Sequence, residues 1–204
     1  MDETPRQGLT PDVAVARLRD GNRRFLAGEV APALTDPNSR RFVAAAQSPF
    51  AALLACSDSR VAPEILFSCG LGELFVVRNA GNTADAAATG SLEYAVAELG
   101  VSLIGVMGHE RCGAIKAAVS LVEKDIRLSG AMGEMIATIL PAAIRAVRSG
   151  AKDPVQATAE AHVLDVVAKL LARSAIIAEA VAAGHLRVVG GVYDLDEGRV
   201  RIVT

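Results

Sequence analysis

The pattern of apolar and polar residues divides the chain into strand-like and helix-like segments that alternate. Short, continuous apolar runs at residues 50–55, 74–77 and 101–107 predict buried strands, and the longer stretch at 84–99 predicts a helix. Strands that alternate with helices favour a parallel sheet with helices on its faces. The predicted fold is therefore α/β, with a central, mostly parallel β-sheet flanked by helices.

Cap and turn signals predict how this sheet is extended at the two ends of the chain. Thr-Pro-Asp at 10–12 is a typical helix start, so a helix is expected through about Arg19. Residues 1–40 are expected to form an N-terminal helical arm that packs on a second subunit. Near the other end, two apolar runs flank the turn-rich segment 194–198, which predicts a hairpin at the sheet edge.

The region between the third strand and the hairpin is expected to be helical. Helical patterns cover 114–122, 131–147 and 154–183, with glycines marking the breaks and a kink expected in the last of them. No internal repeat or composition shift suggests a second domain. Residues 1–204 are therefore predicted to form a single domain.

Composition indicates how the core is built and that the chain associates with itself. Apolar residues make up 51% of the chain and aromatic residues only 3%, with no tryptophan, so the core must consist of small aliphatic side chains. The mean hydropathy of +0.35 is high for a soluble monomer. Some apolar surface is therefore expected to be covered by an identical chain, in a homodimer or a higher homo-oligomer.

Charge and hydropathy also exclude two classes of partner. The formal net charge is −2 and no basic stripe interleaved with aromatic residues is present, which argues against binding of nucleic acid. No apolar run reaches the roughly 18 residues expected of a membrane span, and residues 1–6 lack the apolar core of a signal peptide. The protein is expected to be cytoplasmic and to have no membrane partner.

Two short clusters contain side chains that bind transition metals. Cys56 and Asp58 follow the first apolar run, and His109 and Cys112 follow the third. Zinc binds thiolate, imidazole and carboxylate in tetrahedral geometry, and two cysteines with one histidine leave a fourth position for water or a nearby carboxylate. The sequence therefore predicts one catalytic zinc ion per chain, held by Cys56, His109 and Cys112, with Asp58 as the carboxylate.

The spacing within each cluster is compatible with this prediction. Cys56 and Asp58 are two residues apart, so at a strand end both can point the same way. His109 and Cys112 are three apart, which suits one face of a first helical turn and implies a strand-to-helix corner. Open α/β sheets bind ligands just beyond the carboxyl ends of their strands, where both clusters are predicted to lie.

Two other interpretations of these residues are structural. The cysteines could be buried thiols beside a satisfied core histidine, or the cluster could be a closed structural zinc site, although that class usually uses tight CxxC pairs. Cys69 is expected to be an inert buried thiol. His162 and His185 have no second ligand at coordinating spacing, and both are expected to be surface or satisfied structural residues.

A longer pattern surrounds the two clusters, in residues 22–25, 47–49, 56–61, 72–81, 91–96, 108–109 and 112–113. In these segments, from about Asn22 through the final hairpin, the chain resembles the β-class carbonic anhydrases of bacterial type. The resemblance implies reversible hydration of carbon dioxide to bicarbonate and a proton, by attack of zinc-bound hydroxide. It implies that Asp58 and Arg60 form a catalytic dyad beside the three zinc ligands.

The resemblance also implies roles for residues around the zinc ion. Gln47 would donate a hydrogen bond to a substrate oxygen, with help from the backbone amide of Gly113, while Phe75 and Tyr94 would line the substrate pocket or pack in the core. Asp58 would either coordinate zinc in place of water or pair with Arg60, and only the second arrangement permits catalysis. Activity is expected to rise above neutral pH, because two thiolates make the bound water harder to ionise than neutral imidazoles would. Raising the pH would also favour hydroxide over the carboxylate and release Asp58 toward Arg60.

Two alternative functions and one mode of regulation remain open at this stage. The same scaffold serves hydrolases of carbon disulfide or carbonyl sulfide, and a non-catalytic protein that binds zinc or bicarbonate is also compatible with the motifs. Some family members have an inhibitory bicarbonate pocket built on tryptophan, arginine and tyrosine. Here Leu53 stands at the tryptophan position, while Arg78 and Tyr193 match the other two, unless Arg78 pairs with a structural carboxylate.

Overall fold

A five-stranded β-sheet is the centre of the fold. The computed structural model describes residues 9–29, 36–124 and 128–204. Within them the spatial strand order is β2-β1-β3-β4-β5; the first four strands in the chain run parallel and β5 is antiparallel to β4. This confirms the predicted parallel sheet and the hairpin at its edge. The strands are β1 (Ala51–Cys56), β2 (Leu74–Asn79), β3 (Leu103–His109), β4 (Arg187–Tyr193) and β5 (Val200–Ile202).

Five of the helices begin after a residue whose side chain caps them. Side-chain oxygens of Thr10, Asp36, Asp85, Asp153 and Ser174 accept hydrogen bonds from backbone amides in the first turn of the helix that each one precedes. The helices of the described residues are α1 (Pro11–Leu26), α2 (Pro37–Val43), α3 (Pro63–Leu66), α4 (Ala86–Ala97), α5 (Gly113–Lys124), α6 (Gly130–Ala137), α7 (Leu140–Arg148), α8 (Pro154–Arg173) and α9 (Ala175–Ala182).

Two of the predicted helical stretches are each divided in the structure. The stretch at 131–147 is not one helix but α6 and α7, which are bent by 56° relative to each other. Pro141 lies in the first turn of α7 and has no amide hydrogen to continue the preceding helix. The kink expected within 154–183 is a complete break at Ser174, which ends α8 and caps α9 in an extended conformation.

No helix in the described part of the chain is by itself long and apolar enough to cross a membrane. The bent pair of α6 and α7 reaches the required length and apolar composition only when its two helices are taken together.

Both faces of the sheet are buried, so the central strands are apolar without interruption. In β1, Leu54 packs with Leu92 of α4 and Leu170 of α8 on one face, whereas Leu53 packs with Leu18 of α1 on the other. A third apolar cluster lies around Cys56 and Cys112, with residues of α5, α6 and α7. A strand buried on both sides cannot shift its register without exposing apolar side chains, so the strand ends are fixed in space.

Helix α1 covers the sheet of its own chain and is longer than predicted. It continues seven residues past Arg19 to Leu26, and the side-chain amide of Asn22 donates to the carbonyls of Leu66 and Gly198. Packing of the N-terminal arm on a second subunit stays a prediction, since residues 1–8 and 30–35 lie outside the described residues.

Gly21 explains why the helix can pass so close to its neighbour. A Cβ atom at Gly21 would lie 1.9 Å from the carbonyl oxygen of Phe67, so only glycine permits this approach. In the sequence a glycine at this position resembles a break between helices, whereas in the structure it lies inside α1 and forms a contact surface.

We expect Gly21→Ala to destabilise the protein by about 1–3 kcal/mol, because backbone cannot move aside as a flexible side chain can. Gly90 provides the matched control, since it also lies in a helix but has no atom within 4 Å of its Cβ position. Gly90→Ala should stabilise the protein by about 0.5–1 kcal/mol. Equilibrium unfolding in urea measures both changes, and equal effects would contradict the packing argument.

Candidate metal centre

The carboxyl ends of β1 and β3 bring the two predicted clusters together. These strands are parallel neighbours, and Cys56 and His109 are their last residues. Cys112 follows three residues later, immediately before α5. The ligand atoms of the three side chains all lie within 4.8 Å of one another, and the two Sγ atoms are 3.9 Å apart. All three side chains are buried.

The local geometry of the second cluster differs from the prediction. His109 and Cys112 do not share a helical turn, because His109 belongs to β3 and the helix begins only at Gly113. Between them Arg111 has a positive φ of 52°, which turns the chain sharply. The predicted strand-to-helix corner is thus present, but a tight turn rather than helical periodicity brings Cys112 beside His109.

The His109 ring is oriented by its own backbone. Nδ1 lies 2.8 Å from the carbonyl oxygen of Glu110, so it carries the proton and donates to that carbonyl. Nε2 is then unprotonated, and it is a buried nitrogen without a hydrogen-bond partner. A lone pair left free beside two thiols is the arrangement that a tetrahedral zinc ion requires, so the donor set fits the metal.

The two thiols favour an anionic site. The neighbouring Cys112 thiol lowers the pKa of Cys56, and the hydrogen bond from the Gly81 amide acts in the same direction. The pKa of Cys112 is raised, because its thiol serves as the partner of Cys56 and is desolvated. The pair therefore holds one negative charge readily, and a bound cation is what would stabilise the second.

Cys69 differs from Cys56, because its environment raises the pKa of its thiol. Its thiol donates to the carbonyl of Phe67, and burial raises its pKa to about 12. The side chain is only partly buried, in contrast to the buried thiol that was expected. The high pKa keeps the group protonated, in agreement with the prediction that it is inert.

Asp58 and Arg60 form an ion pair at the rim of the centre. Nε of Arg60 donates to Oδ1 at 2.9 Å and Nη2 donates to Oδ2 at 2.7 Å, while the Arg60 amide also bonds Oδ1. The Arg60 guanidinium holds the pKa of the Asp58 carboxyl well below its usual range. Oδ2 lies 3.8 Å from Nε2 of His109, so the carboxylate lies next to the ligand group but is paired with arginine.

Arg78 supports the segment that carries this pair, a role that the sequence did not reveal. Its guanidinium donates to the carbonyl oxygens of Cys56 at 3.0 Å and Asp58 at 2.8 Å. The alternative to a place in the inhibitory pocket was a structural carboxylate partner, and backbone carbonyls are found instead. No sequence spacing links residue 78 to residues 56 and 58, because strand pairing alone makes them neighbours. Leu53 and Tyr193, the other positions of the possible inhibitory pocket, are buried.

The remaining predicted site residues lie at different distances from the centre. Gly113 is the first residue of α5 and directly follows Cys112. Gln47 is exposed and precedes the amino end of β1, whereas Cys56 lies at its carboxyl end. Phe75 pairs with Ala52 in register, four residues before Cys56, and its ring lies 6.2 Å from that of the half-exposed Tyr94. A pocket-lining role for these two aromatic residues stays a prediction.

The two other histidines have different environments. His185 is exposed two residues before β4, as expected for a surface residue. His162 of α8 is buried, and Nε2 lies 2.9 Å from the carbonyl oxygen of Gly81. Gly81 in turn donates its amide hydrogen to Sγ of Cys56 at 3.4 Å.

Comparison with known proteins agrees with this geometry. The family model of carbonic anhydrase matches residues 51–200. Carbonic anhydrase 2 of Mycobacterium tuberculosis is 41% identical over 189 residues, covering 93% of this chain and 91% of that protein. The carbonic anhydrase of Mycolicibacterium smegmatis is 41% identical over 192 residues, covering 94% and 93%.

Solved structures extend the likeness to three dimensions. The β-carbonic anhydrase of Coccomyxa in complex with acetazolamide has a TM-score of 0.73 at 31% identity, covering 93% of this chain and 86% of that one. A tetrameric β-carbonic anhydrase of Sordaria macrospora has a TM-score of 0.72 at 28% identity, covering 82% and 87%.

We expect Cys112→Ser to abolish zinc binding, because a serine hydroxyl does not ionise to replace the thiolate. Elemental analysis after dialysis against zinc should find about one ion per wild-type chain and almost none in the variant. Cys69→Ser is the matched control and should keep its zinc. Chelation should lower the unfolding temperature of the wild type and of this control but not that of Cys112→Ser, and full metal retention in Cys112→Ser would contradict the assignment.

Proposed function

Because the chain belongs to the β-carbonic anhydrase family, and is thus an enzyme of the lyase class, we propose that it hydrates carbon dioxide reversibly to bicarbonate and a proton. The observation that carries the proposal is the buried group of Cys56, His109 and Cys112, with the free Nε2 of His109 facing two thiols. The Asp58–Arg60 ion pair beside it supports catalysis rather than storage of a metal.

We propose that Cys56, His109 and Cys112 hold one zinc ion per chain. When bound, zinc supplies a nucleophile at moderate pH by lowering the pKa of a water molecule, which suits attack on the electrophilic carbon of carbon dioxide. The protein's own contribution is a preformed ligand set. The hydrogen bond from Nδ1 of His109 to the Glu110 carbonyl fixes the imidazole in the tautomer that leaves Nε2 free.

Asp58 orients the attacking water in this proposal. Arg60 keeps its carboxyl ionised and holds both of its oxygens. Oδ1 accepts two hydrogen bonds from Arg60, whereas Oδ2 accepts only one and retains a lone pair for a further hydrogen bond. Arg78 fixes the backbone of the same segment through its carbonyls. Coordination of zinc by Asp58 is the competing arrangement, and the bidentate pairing with Arg60 favours the catalytic one.

Gly113 contributes a backbone amide at the start of α5. Amides in the first turn of a helix lack partners within the helix, and the helix dipole places partial positive charge there. An oxygen of the substrate that gains negative charge as bicarbonate forms is stabilised by such a donor. A Cβ atom at Gly113 would meet nothing within 4 Å, so the space beside this amide is open.

Gln47 precedes the amino end of β1, whereas the metal centre of its own chain lies at the carboxyl end of that strand. The five residue steps from Ala51 to Cys56 span roughly 16 Å at about 3.3 Å per step. We therefore propose that Gln47 binds a substrate oxygen in the centre of a partner chain, and that the active form is a homodimer or a higher homo-oligomer.

Exposed apolar surface supports self-association. Phe42 of α2, which lies five residues before Gln47, is 88% exposed. An apolar cavity of about 430 Å³ lies between α1 and the sheet, lined by residues such as Val15, Leu103 and Val189. Exposure of apolar surface to water costs free energy, and a second copy of the chain would remove that cost by covering the surface.

Subunit mixing tests the role of Gln47. We expect the Gln47→Ala and Asp58→Asn homo-oligomers each to have low activity, and mixed oligomers to recover part of it. In a mixed pair the centre of the Gln47→Ala chain is intact and receives Gln47 from the Asp58→Asn chain, so one complete centre forms. Carbon dioxide hydration after co-refolding measures the recovery. If oligomers shown to be mixed recover no activity, Gln47 acts in the centre of its own chain or has no role in a metal centre.

The overall function is tested by stopped-flow carbon dioxide hydration between pH 6.5 and 9, the range around neutrality in which metal-activated water ionises. We expect kcat to rise with pH, because two thiolates add negative charge and oppose ionisation of the water. Titration of Asp58 does not cause this rise, because Arg60 lowers its pKa and the carboxylate is already charged throughout the range.

Asp58→Asn should lower kcat by about 100-fold while keeping its zinc. Asp196→Asn is the matched control, because Asp196 also pairs with an arginine through two hydrogen bonds, to Arg111, at 2.8 and 2.9 Å. It should keep nearly full activity. A zinc-loaded wild type that does not hydrate carbon dioxide but hydrolyses carbonyl sulfide would overturn the proposal.

A further inference from the structure

We propose that His162 is a positioning residue of the metal centre, acting on Cys56 through the backbone of Gly81. This inference rests on the proposed zinc site. His162 lies on α8, 53 residues after His109 in the chain, and touches no ligand itself. Its contact is with the glycine whose amide hydrogen reaches the sulfur of Cys56.

The connection consists of two hydrogen bonds that meet at one residue. Nε2 of His162 lies 2.9 Å from the carbonyl oxygen of Gly81, and the amide nitrogen of Gly81 lies 3.4 Å from Sγ of Cys56. His162 is only 2% exposed, so water does not compete for the first bond. Both polar backbone groups of Gly81 are therefore committed, one to the imidazole and the other to the sulfur.

The chemistry of the imidazole determines the direction of the first bond. A carbonyl oxygen only accepts, so Nε2 must carry the hydrogen, and Nδ1 is left buried without a partner. Burial also lowers the pKa of His162, which keeps the ring neutral. A buried nitrogen without a partner costs free energy, so the ring is poorly suited to a role of packing alone. Its single donor points at Gly81.

Gly81 is a residue whose orientation needs an external constraint. Its φ is +79°, and a Cβ atom would lie 2.9 Å from Cδ1 of Ile139 and 3.0 Å from Cβ of Ala114. Glycine fits this crowded position but has more conformational freedom than any other residue. Asn79 fixes the far side of the turn by two hydrogen bonds with the backbone of Thr83. The bond from His162 fixes the carbonyl of Gly81 itself.

The consequence for the metal centre is control over the charge on one sulfur. An N–H group that points at a thiolate withdraws electron density from it and holds its orientation, as outer hydrogen bonds do for metal ligands generally. The amide and the carbonyl of Gly81 lie in two peptide planes joined at its Cα atom, so loss of the bond to the carbonyl removes a restraint on the φ and ψ of Gly81 and lets the amide turn away from Cys56. The sulfur then becomes a stronger donor in a less fixed position.

Cobalt substitution tests this without relying on turnover. We expect His162→Leu to shift the sulfur-to-cobalt charge-transfer band of the Co²⁺-loaded protein to longer wavelength, and to weaken zinc binding by roughly 10-fold. His162→Gln should stay close to the wild type in both measurements, because the glutamine amide nitrogen can occupy the position of Nε2 and still donate. His185→Leu, a substitution at the exposed histidine, should change neither.

The outcomes separate a positioning role from a packing role. Wild-type spectra and zinc affinity in His162→Leu would overturn the inference, and so would equal shifts in His162→Leu and His162→Gln. Thermal unfolding of the metal-free variants checks the fold, and His162→Met replaces the leucine variant if that one fails to fold. A wild type that binds neither Co²⁺ nor Zn²⁺ would instead overturn the proposed metal site, whereas metal binding without hydration would overturn only the proposed reaction.

Discussion

The parallel pairing of β1 with β3 is the constraint on which the rest of the site depends. It places the carboxyl ends of both strands at one edge of the sheet, and so sets Cys56 beside His109 although 53 residues separate them. The strands are buried on both faces, which prevents a shift in register. The turn through Arg111 then needs only three residues to bring Cys112 beside them. The centre is thus positioned by the hydrophobic core rather than by contacts of its own.

The polar groups around the centre distribute charge so that a metal can bind there. Two thiolates in an apolar environment would repel each other, and without compensation they would take up protons. Hydrogen bonds from the Gly81 amide and the neighbouring thiol favour an anionic Cys56. Arg60 plays the corresponding part for Asp58 and remains half exposed, so its own charge stays hydrated. The centre therefore combines a buried set of ligands with a solvent-exposed rim, where Arg60 lies.

The outer elements contribute unequally to this arrangement. On one side α5, α6 and α7 enclose the sulfur atoms in an apolar cluster, and α8 supplies the ring that contacts Gly81. On the other face α1 approaches closely only where Gly21 allows it, and it leaves an apolar cavity beside the sheet. One face thus serves the metal centre, while the other provides the surface that we assign to a second copy. Gln47 lies at the far end of β1 from the metal centre. If it completes the centre of a partner chain, catalysis depends on association of the two chains.

Local rules were sufficient for much of the fold. Apolar runs, helix caps and turn residues identified the strands, several helix starts and the final hairpin, because each of these features depends on residues close together in the chain. Cys56, His109 and Cys112 were also recognisable, since their side-chain chemistry is specific and each follows an apolar run. Spacing failed where the backbone leaves regular structure, as at Arg111 and at the break between α6 and α7.

Contacts between distant segments required the tertiary structure. Gly21 resembles a helix breaker in the sequence, and only the carbonyl of Phe67 on another element shows that it is a contact surface. Arg78 and His162 have no signal in the sequence that links them to Cys56, because their partners are backbone carbonyls, which every residue possesses. The sequence by itself determined which side chains could bind a metal. The packing of α8 on the sheet and the pairing of β2 with β1 decided which other residues hold those side chains in place. These contacts depend on distance in space rather than on separation along the chain.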